Sequence, residues 1–163
     1  MTVQGSRSFL IISLVGFAAG LVAAFTLGAG FGATVVAQSG HTGLYGGARP
    51  LAPYSPGVDS GDTVYLSGQV GINPETGSLH EGVAAQARQA LSNLENLLGE
   101  AGLTKAHVTR ATVYLDDIDN YGALNEVYGE FFEGVDVKPS RSTVGVAALP
   151  IGAAVEIDFI AVR

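Results

Sequence analysis

The 163-residue chain has no cysteine, which excludes disulfides, thiol nucleophiles and thiolate metal sites together. Basic residues are scarce too, with eight Lys and Arg against fifteen Asp and Glu. All fifteen acids lie between Asp59 and Asp158. The chain beyond Ala37, which omits Arg7, therefore sets seven bases against fifteen acids, a formal charge of −8. Such a segment repels nucleic acid phosphates, and no basic stripe argues otherwise. His41, His80 and His107 sit in three separate segments without ligand-type spacing. They read as linker or surface residues rather than as a metal site.

Between Phe9 and Ala37 charge is missing altogether. The run exceeds the roughly 7–15 residues of a signal-peptide core and is long enough to cross a bilayer as a hydrophobic helix. Val35-Val36-Ala37 before Gln38 has the small-residue character of a signal peptidase site. Residues 1–37 thus read either as a cleaved signal peptide or as an uncleaved membrane anchor. Both send the remainder out of the cytoplasm, to the periplasm or beyond, because Arg7 precedes the span. Gly16, Gly20, Ala24, Gly28 and Gly32 recur at every fourth position, either a ladder for close helix approach or a chance periodicity. Residues 38–50, rich in Gly and polar side chains, read as a flexible linker. A folded domain is expected over residues 51–163.

Within that domain Pro53 and Pro56 hold Tyr54 in an extended loop. Thr63 to Ser67 alternates as a strand, and Gly68-Gln69 follows where the backbone can approach another group closely. Val83 to Ala101 carries one apolar helical face through Ala87, Ala90, Leu91, Leu94, Leu97 and Leu98, with Gly102 as the stop. Val108 to Leu115 favours extended backbone. A second helix, capped by Asp117 or Asp119, carries Tyr121, Leu124, Val127, Tyr128 and Phe131, and Gly134 ends it. Asn125 lies off its main stripe. The order of strand, helix, strand, helix and two strands predicts an α+β fold with both helices on one face of the sheet.

The stretch Pro139-Ser140-Arg141-Ser142-Thr143-Val144 places an arginine in a strand from about Arg141 to Val146, where Arg141, Thr143 and Gly145 share a face. The segment Ala154 to Val162 alternates Val155, Ile157 and Phe159 against Glu156 and Asp158. If the loop around Pro150 returns the chain antiparallel, Arg141 and Glu156 project from one face, opposite the aliphatic one. Arg141 offers a fork of donors suited to a carboxylate, and Glu156 a carboxylate that can hold or deprotonate water. A structural Arg–Glu pair is the alternative. This mixed face, with Tyr65, Ile160 and Val162, is too apolar to remain wet, and burial against sister subunits would cover it.

Pro53-Tyr54-Ser55, Ser67-Gly68-Gln69, Asn125-Glu126-Val127-Tyr128, Pro139 to Val144, Leu149-Pro150 and Val155-Glu156-Ile157 together resemble the RidA/YjgF/UK114 family of reactive-intermediate deaminases, over about residues 50–163. The resemblance implies a chorismate-mutase-like fold and a homotrimer with clefts between subunits. It further implies a 2-iminobutanoate/2-iminopropanoate deaminase-type hydrolase, which converts 2-imino or enamino acids such as 2-aminoacrylate to 2-oxo acids and ammonia without a cofactor. By the same resemblance Arg141 binds the substrate carboxylate, Glu156 positions or activates water, and Tyr54 helps close the site. Gly68, Asn125 and Thr143 line it, Thr143 standing where some members carry cysteine. A non-catalytic protein that binds small carboxylates on the same scaffold is the alternative, since function resides in the site rather than the fold.

Overall fold

The computed structural model describes residues 40–46, 50 and 52–163. The signal-peptide, anchor and hydrophobic-helix readings of residues 1–37 lie outside the described residues. Among those described, no helix is long and apolar enough to cross a membrane. The chain runs through β1 (Thr42–Leu44), β2 (Gly57–Asp59), β3 (Thr63–Val70), α1 (Val83–Glu100), β4 (Val108–Leu115), α2 (Tyr121–Phe131), β5 (Ser140–Gly145) and β6 (Val155–Val162). The strands form one sheet in the order β1-β2-β3-β6-β4-β5. Neighbours are antiparallel throughout except β4 and β5, which are parallel.

Helix α1 buries Ala87, Ala90, Leu91, Leu94, Leu97 and Leu98, the apolar positions spaced three and four apart. Its end is a Schellman motif: Leu103 N–H donates to the Leu98 carbonyl, Gly102 N–H donates to that of Gly99, and Gly102 takes φ 70°. Leu98 and Leu103 are both buried, which supplies the apolar contact that accompanies such an ending. At the second helix Asp117 caps a short 3-10 turn over Ile118–Asn120 by accepting from Asp119 N–H, and α2 continues from it.

Both helices lie over one sheet face. Ala111, Val113, Leu115, Val155, Ile157, Phe159 and Ala161 enter the core from that face, and the Phe132 ring meets Phe159 at 5.8 Å between centroids. Gln86 is a buried polar side chain within this layer. It donates to the His80 carbonyl and accepts from Ala154 N–H, tying the turn after β3 to the start of β6.

Two sequence expectations are corrected here. Residues 38–50 read as a flexible linker, yet Thr42–Leu44 pairs with β2 at the sheet edge. Leu44 is buried there, and Glu100 accepts from the backbone N–H of Tyr45 and Gly46, contacts whose partners lie far along the chain. The second correction concerns β5 and β6, whose antiparallel return through the loop around Pro150 was the condition for a shared Arg141–Glu156 face. They are not neighbours, because β4 lies between them. A right-handed crossover through α2 makes β5 parallel to β4, and the slot beside β3 then offers β6 a partner on each side.

The loop joining β5 to β6 carries a local cost. Ile151 adopts φ 53° and ψ 19° with its side chain 61% exposed, a left-handed conformation that a β-branched residue disfavours. Nothing buried is lost by replacing it. Ile151→Asn is therefore expected to raise the free energy of unfolding by roughly 1 kcal/mol, read from the denaturant midpoint at an unchanged slope. A lower midpoint would show that the isoleucine contributes a contact that outweighs the backbone cost.

Candidate active site

Strand β5 is one edge of the described sheet, opposite β1, and its register sets where Arg141 points. Arg141 lies opposite Ala111 and Thr143 opposite Val113. Since Ala111 and Val113 face the helices, Arg141 and Thr143 do so as well. The Arg141 guanidinium thus meets α2 instead of the open face. Its Nη2 donates to Asn125 Oδ1 at 2.7 Å and to the Tyr121 hydroxyl at 3.2 Å. The guanidinium carbon also sits 4.5 Å from the Tyr128 ring centroid and 5.6 Å from that of Tyr121, within cation–π range of both. Asn125 and Tyr121 are one helical turn apart, which brings both to the same cation.

This pocket is electrostatically unusual. Among the described residues Arg141 bonds only neutral groups, whereas Arg88 pairs with Glu130 and Arg163 with Asp59. The Tyr121 hydroxyl is held below its ordinary pKa, first by its hydrogen bond to Arg141 and then by Asn125. Burial pushes Tyr128 the other way, up to about 12, against the opposing pull of Arg141. The Tyr128 and Thr143 hydroxyls are buried without a hydrogen-bond partner among the described residues.

Glu156 belongs to a second cluster. It lies opposite Tyr114 on β4 and Val70 on β3, on the face away from the helices, because its neighbours Val155 and Ile157 are buried in the core. A Cβ built on Gly68 would land on the Glu156 carboxylate, so the glycine is what leaves room for it. Burial, with Asp158 a second cause, raises the Glu156 carboxyl above its usual range. Tyr54, half exposed, joins Gly68 in lining a cavity of about 320 Å³ that Gln69, Val70, Asn93 and Leu97 also border.

The expectation that Arg141, Thr143 and Glu156 share one face is therefore overturned. Alternation along each strand was read correctly, but the relative phase of β5 and β6 is set by β4. Ala111 lies opposite both Arg141 and Phe159, which assigns Arg141 to the side of Phe159 and away from Glu156. The structure brings Arg141, Asn125 and Thr143 together and sets Gly68 against Glu156, while Tyr54 meets Gly68 only as a lining residue of a cavity that Glu156 does not border. Tyr121 and Tyr128 stood in the sequence as apolar-face residues of α2. Their four- and three-residue spacing from Asn125 was the available signal, but the arginine that uses them comes from another strand.

The family described as Endoribonuclease L-PSP matches residues 46–163. Over 114 residues the chain is 46% identical to a RutC family protein of Aquifex aeolicus, covering 70% of this chain and 91% of that protein. It is 44% identical over 114 residues to a 2-iminobutanoate/2-iminopropanoate deaminase of Mus musculus, covering 69% of this chain and 83% of the relative. Among solved structures, E. coli TdcF with bound serine matches with a TM-score of 0.68 at 39% identity, covering 70% of this chain and 91% of that one.

The contact between Gly68 and Glu156 gives a direct test of the second cluster. Gly68→Ala should push the carboxylate outward, since a side-chain tip yields more readily than backbone. The Glu156 titration midpoint, followed by the NMR shift of its carboxyl carbon, should then fall toward the ordinary glutamate range. An unmoved midpoint would show that Glu156 does not pack against this glycine.

Proposed function

This chain belongs to the RidA/YjgF family, and on that premise we propose that it hydrolyses reactive 2-imino and enamino acids to 2-oxo acids and ammonia. The site is assembled between copies in a homotrimer. One observation carries this reading: among the described residues Arg141 is an edge-strand cation bonded only to neutral groups, which suits it to receive a small carboxylate from outside the chain. The family's description as an endoribonuclease does not transfer well to it. A formal charge of −8 beyond Ala37, without a basic stripe, disfavours a phosphate backbone as substrate.

Arg141 and Glu156 project from opposite faces, on strands about 10 Å apart with one other between them, and three residues out of step along the strands. Within one chain they cannot hold one small molecule. A second copy that covers the open face with its β5 edge would bring its own Arg141 toward Glu156. The same contact would cover Tyr65, Ile160 and Val162. Trimeric closure repeats this arrangement three times.

In such a site Arg141 fixes the substrate carboxylate and so orients the neighbouring C=N carbon. Glu156 takes a proton from water as the water oxygen bonds that carbon, the C=N π electrons move to nitrogen, and Glu156 hands that proton to the nitrogen. Collapse of the resulting carbinolamine balances in the same way: Glu156 takes the hydroxyl proton as the C=O bond forms and delivers it to the nitrogen as the C–N bond breaks, releasing ammonia. The raised Glu156 pKa makes it a better proton acceptor than an ordinary carboxylate. Tyr54 lines a cavity together with Gly68, and its ring would restrict water entry by closing over the bound substrate.

Export belongs to the same proposal. The uncharged run from Phe9 to Ala37 supports delivery outside the cytoplasm, as a cleaved or anchored form. Cell fractionation should recover the protein outside the cytosol, and a purely cytosolic pool would overturn this part alone.

Release of 2-oxo acid from freshly generated 2-imino acids is the measurement that tests the activity. Arg141→Ala should lower kcat/KM by at least about a hundredfold while the trimer persists. Glu156→Gln should lower kcat by about 10²–10⁴-fold with 2-oxo acid binding retained. Loss of binding in the first variant with no turnover in the wild type would instead describe a carboxylate-binding protein. The acid limb of kcat/KM should lie above the ordinary glutamate range, because Glu156 acts when deprotonated and its folded-state pKa is raised. Asp158→Asn should move that limb to lower pH by removing the like charge beside it. An unmoved limb in both the Glu156 and Asp158 variants would assign the titration to another group.

A further inference from the structure

The hydrogen-bond geometry at Arg141 leaves its fork blocked. A guanidinium meets a carboxylate with two parallel bonds along Nε–Nη2 or along Nη1–Nη2. The remaining Nη1 hydrogen turns back toward Cδ, so either edge needs Nη2. That nitrogen carries two hydrogens, and in the structure it has two acceptors, Asn125 Oδ1 and the Tyr121 hydroxyl. Neither edge is open to a bidentate ligand unless one acceptor withdraws.

The two acceptors are not equivalent. Asn125 accepts at 2.7 Å from a part-buried position, whereas Tyr121 accepts at 3.2 Å and is 44% exposed. Tyr121 is also the first residue of α2, next to the short 3-10 turn that precedes it. A carboxylate brings the opposite charge and a second, parallel hydrogen bond, neither of which the tyrosine hydroxyl supplies. Tyr121 is therefore the acceptor that yields, and Asn125 the one that stays to keep the guanidinium plane over Tyr128.

We propose that the Tyr121 hydroxyl is a displaceable stand-in for the ligand carboxylate, a specificity-setting residue that occupies the Arg141 fork until a bidentate anion replaces it. This rests on the reading of Arg141 as the carboxylate receptor. The substrate class it favours is a planar carboxylate able to use both fork positions. A ligand offering one neutral oxygen gains too little to displace the tyrosine. Ligands of that kind, the amide of a 2-oxo acid among them, are held off by the same bond.

The test is pyruvate binding to the full chain, followed by calorimetry and by NMR line shape, with pyruvamide as the neutral counterpart. Tyr121→Phe keeps the ring over Arg141 and removes only the competing oxygen. Pyruvate affinity should rise about three- to tenfold, the net worth of one long, exposed hydrogen bond no longer broken on binding. Selectivity for pyruvate over pyruvamide should shrink, because the fork is then open to both. Asn125→Ala should have the opposite effect on pyruvate affinity, since the plane of the guanidinium is released. Unchanged or weaker pyruvate binding in Tyr121→Phe would overturn the stand-in role and make the hydroxyl a simple support for Arg141. Arg141→Ala separates the two levels of inference. Equal pyruvate binding by that variant and the wild type would sink the receptor reading itself, and with it this proposal.

Discussion

The position of β4 between β5 and β6 governs everything that the molecule presents to a ligand. Two strand-helix-strand units, β3-α1-β4 and β4-α2-β5, each return their chain parallel to where it began. Both helices therefore lie on one face. The first unit leaves a gap between β3 and β4, and β6 fills it antiparallel to both. A central strand placed this way is paired along both edges, and its alternation becomes the boundary between a dry core and an open face. Val155, Ile157, Phe159 and Ala161 go one way, and Glu156, Asp158 and Ile160 the other.

That division separates a cation cluster from a carboxylate cluster. The cation side is a stack of polar and aromatic groups from one helix gathered around one arginine of an edge strand. The carboxylate side depends on a glycine, because any side chain at Gly68 would take the volume that Glu156 occupies. Neither half needs charge from the other for its own stability. Arg141 is satisfied by neutral partners, and Glu156 is half-buried with its charge disfavoured. Groups left in that condition are poised to exchange partners on binding. The structural ion pair between Arg163 and Asp59 is instead closed on itself, and holds the carboxyl of Asp59 below its ordinary range.

Tyr121 illustrates how a residue can change role between the two levels of description. By helical period it belongs with Leu124 and Tyr128, yet Leu124 is buried and Tyr121 remains largely exposed. The start of α2 lies beyond the core, and the side chain there lies beside β5 instead. Its partner is twenty positions away in the chain. A similar displacement befell residues 42–44, which looked unstructured because a three-residue strand carries too little local signal. The strand exists through pairing with β2 and through Glu100 at the far end of α1.

Composition and local pattern determined a good deal without any coordinates. Apolar spacing located both helices, alternation located four of the strands, and glycines located the ends of the helices, because each depends on neighbours within a few residues. The presence of Arg141, Asn125, Thr143, Gly68 and Glu156 in family-like motifs was legible for the same reason. What tertiary structure decided was phase and partnership. Whether two alternating strands put their polar residues on one face or on opposite faces depends on the strand between them, and a shift of one residue in register inverts the answer. Local sequence specifies the alternation of each strand, and long-range pairing alone specifies how the alternations align. That alignment sets Arg141 beside Tyr121 and Asn125, and turns Glu156 to the opposite side of the sheet.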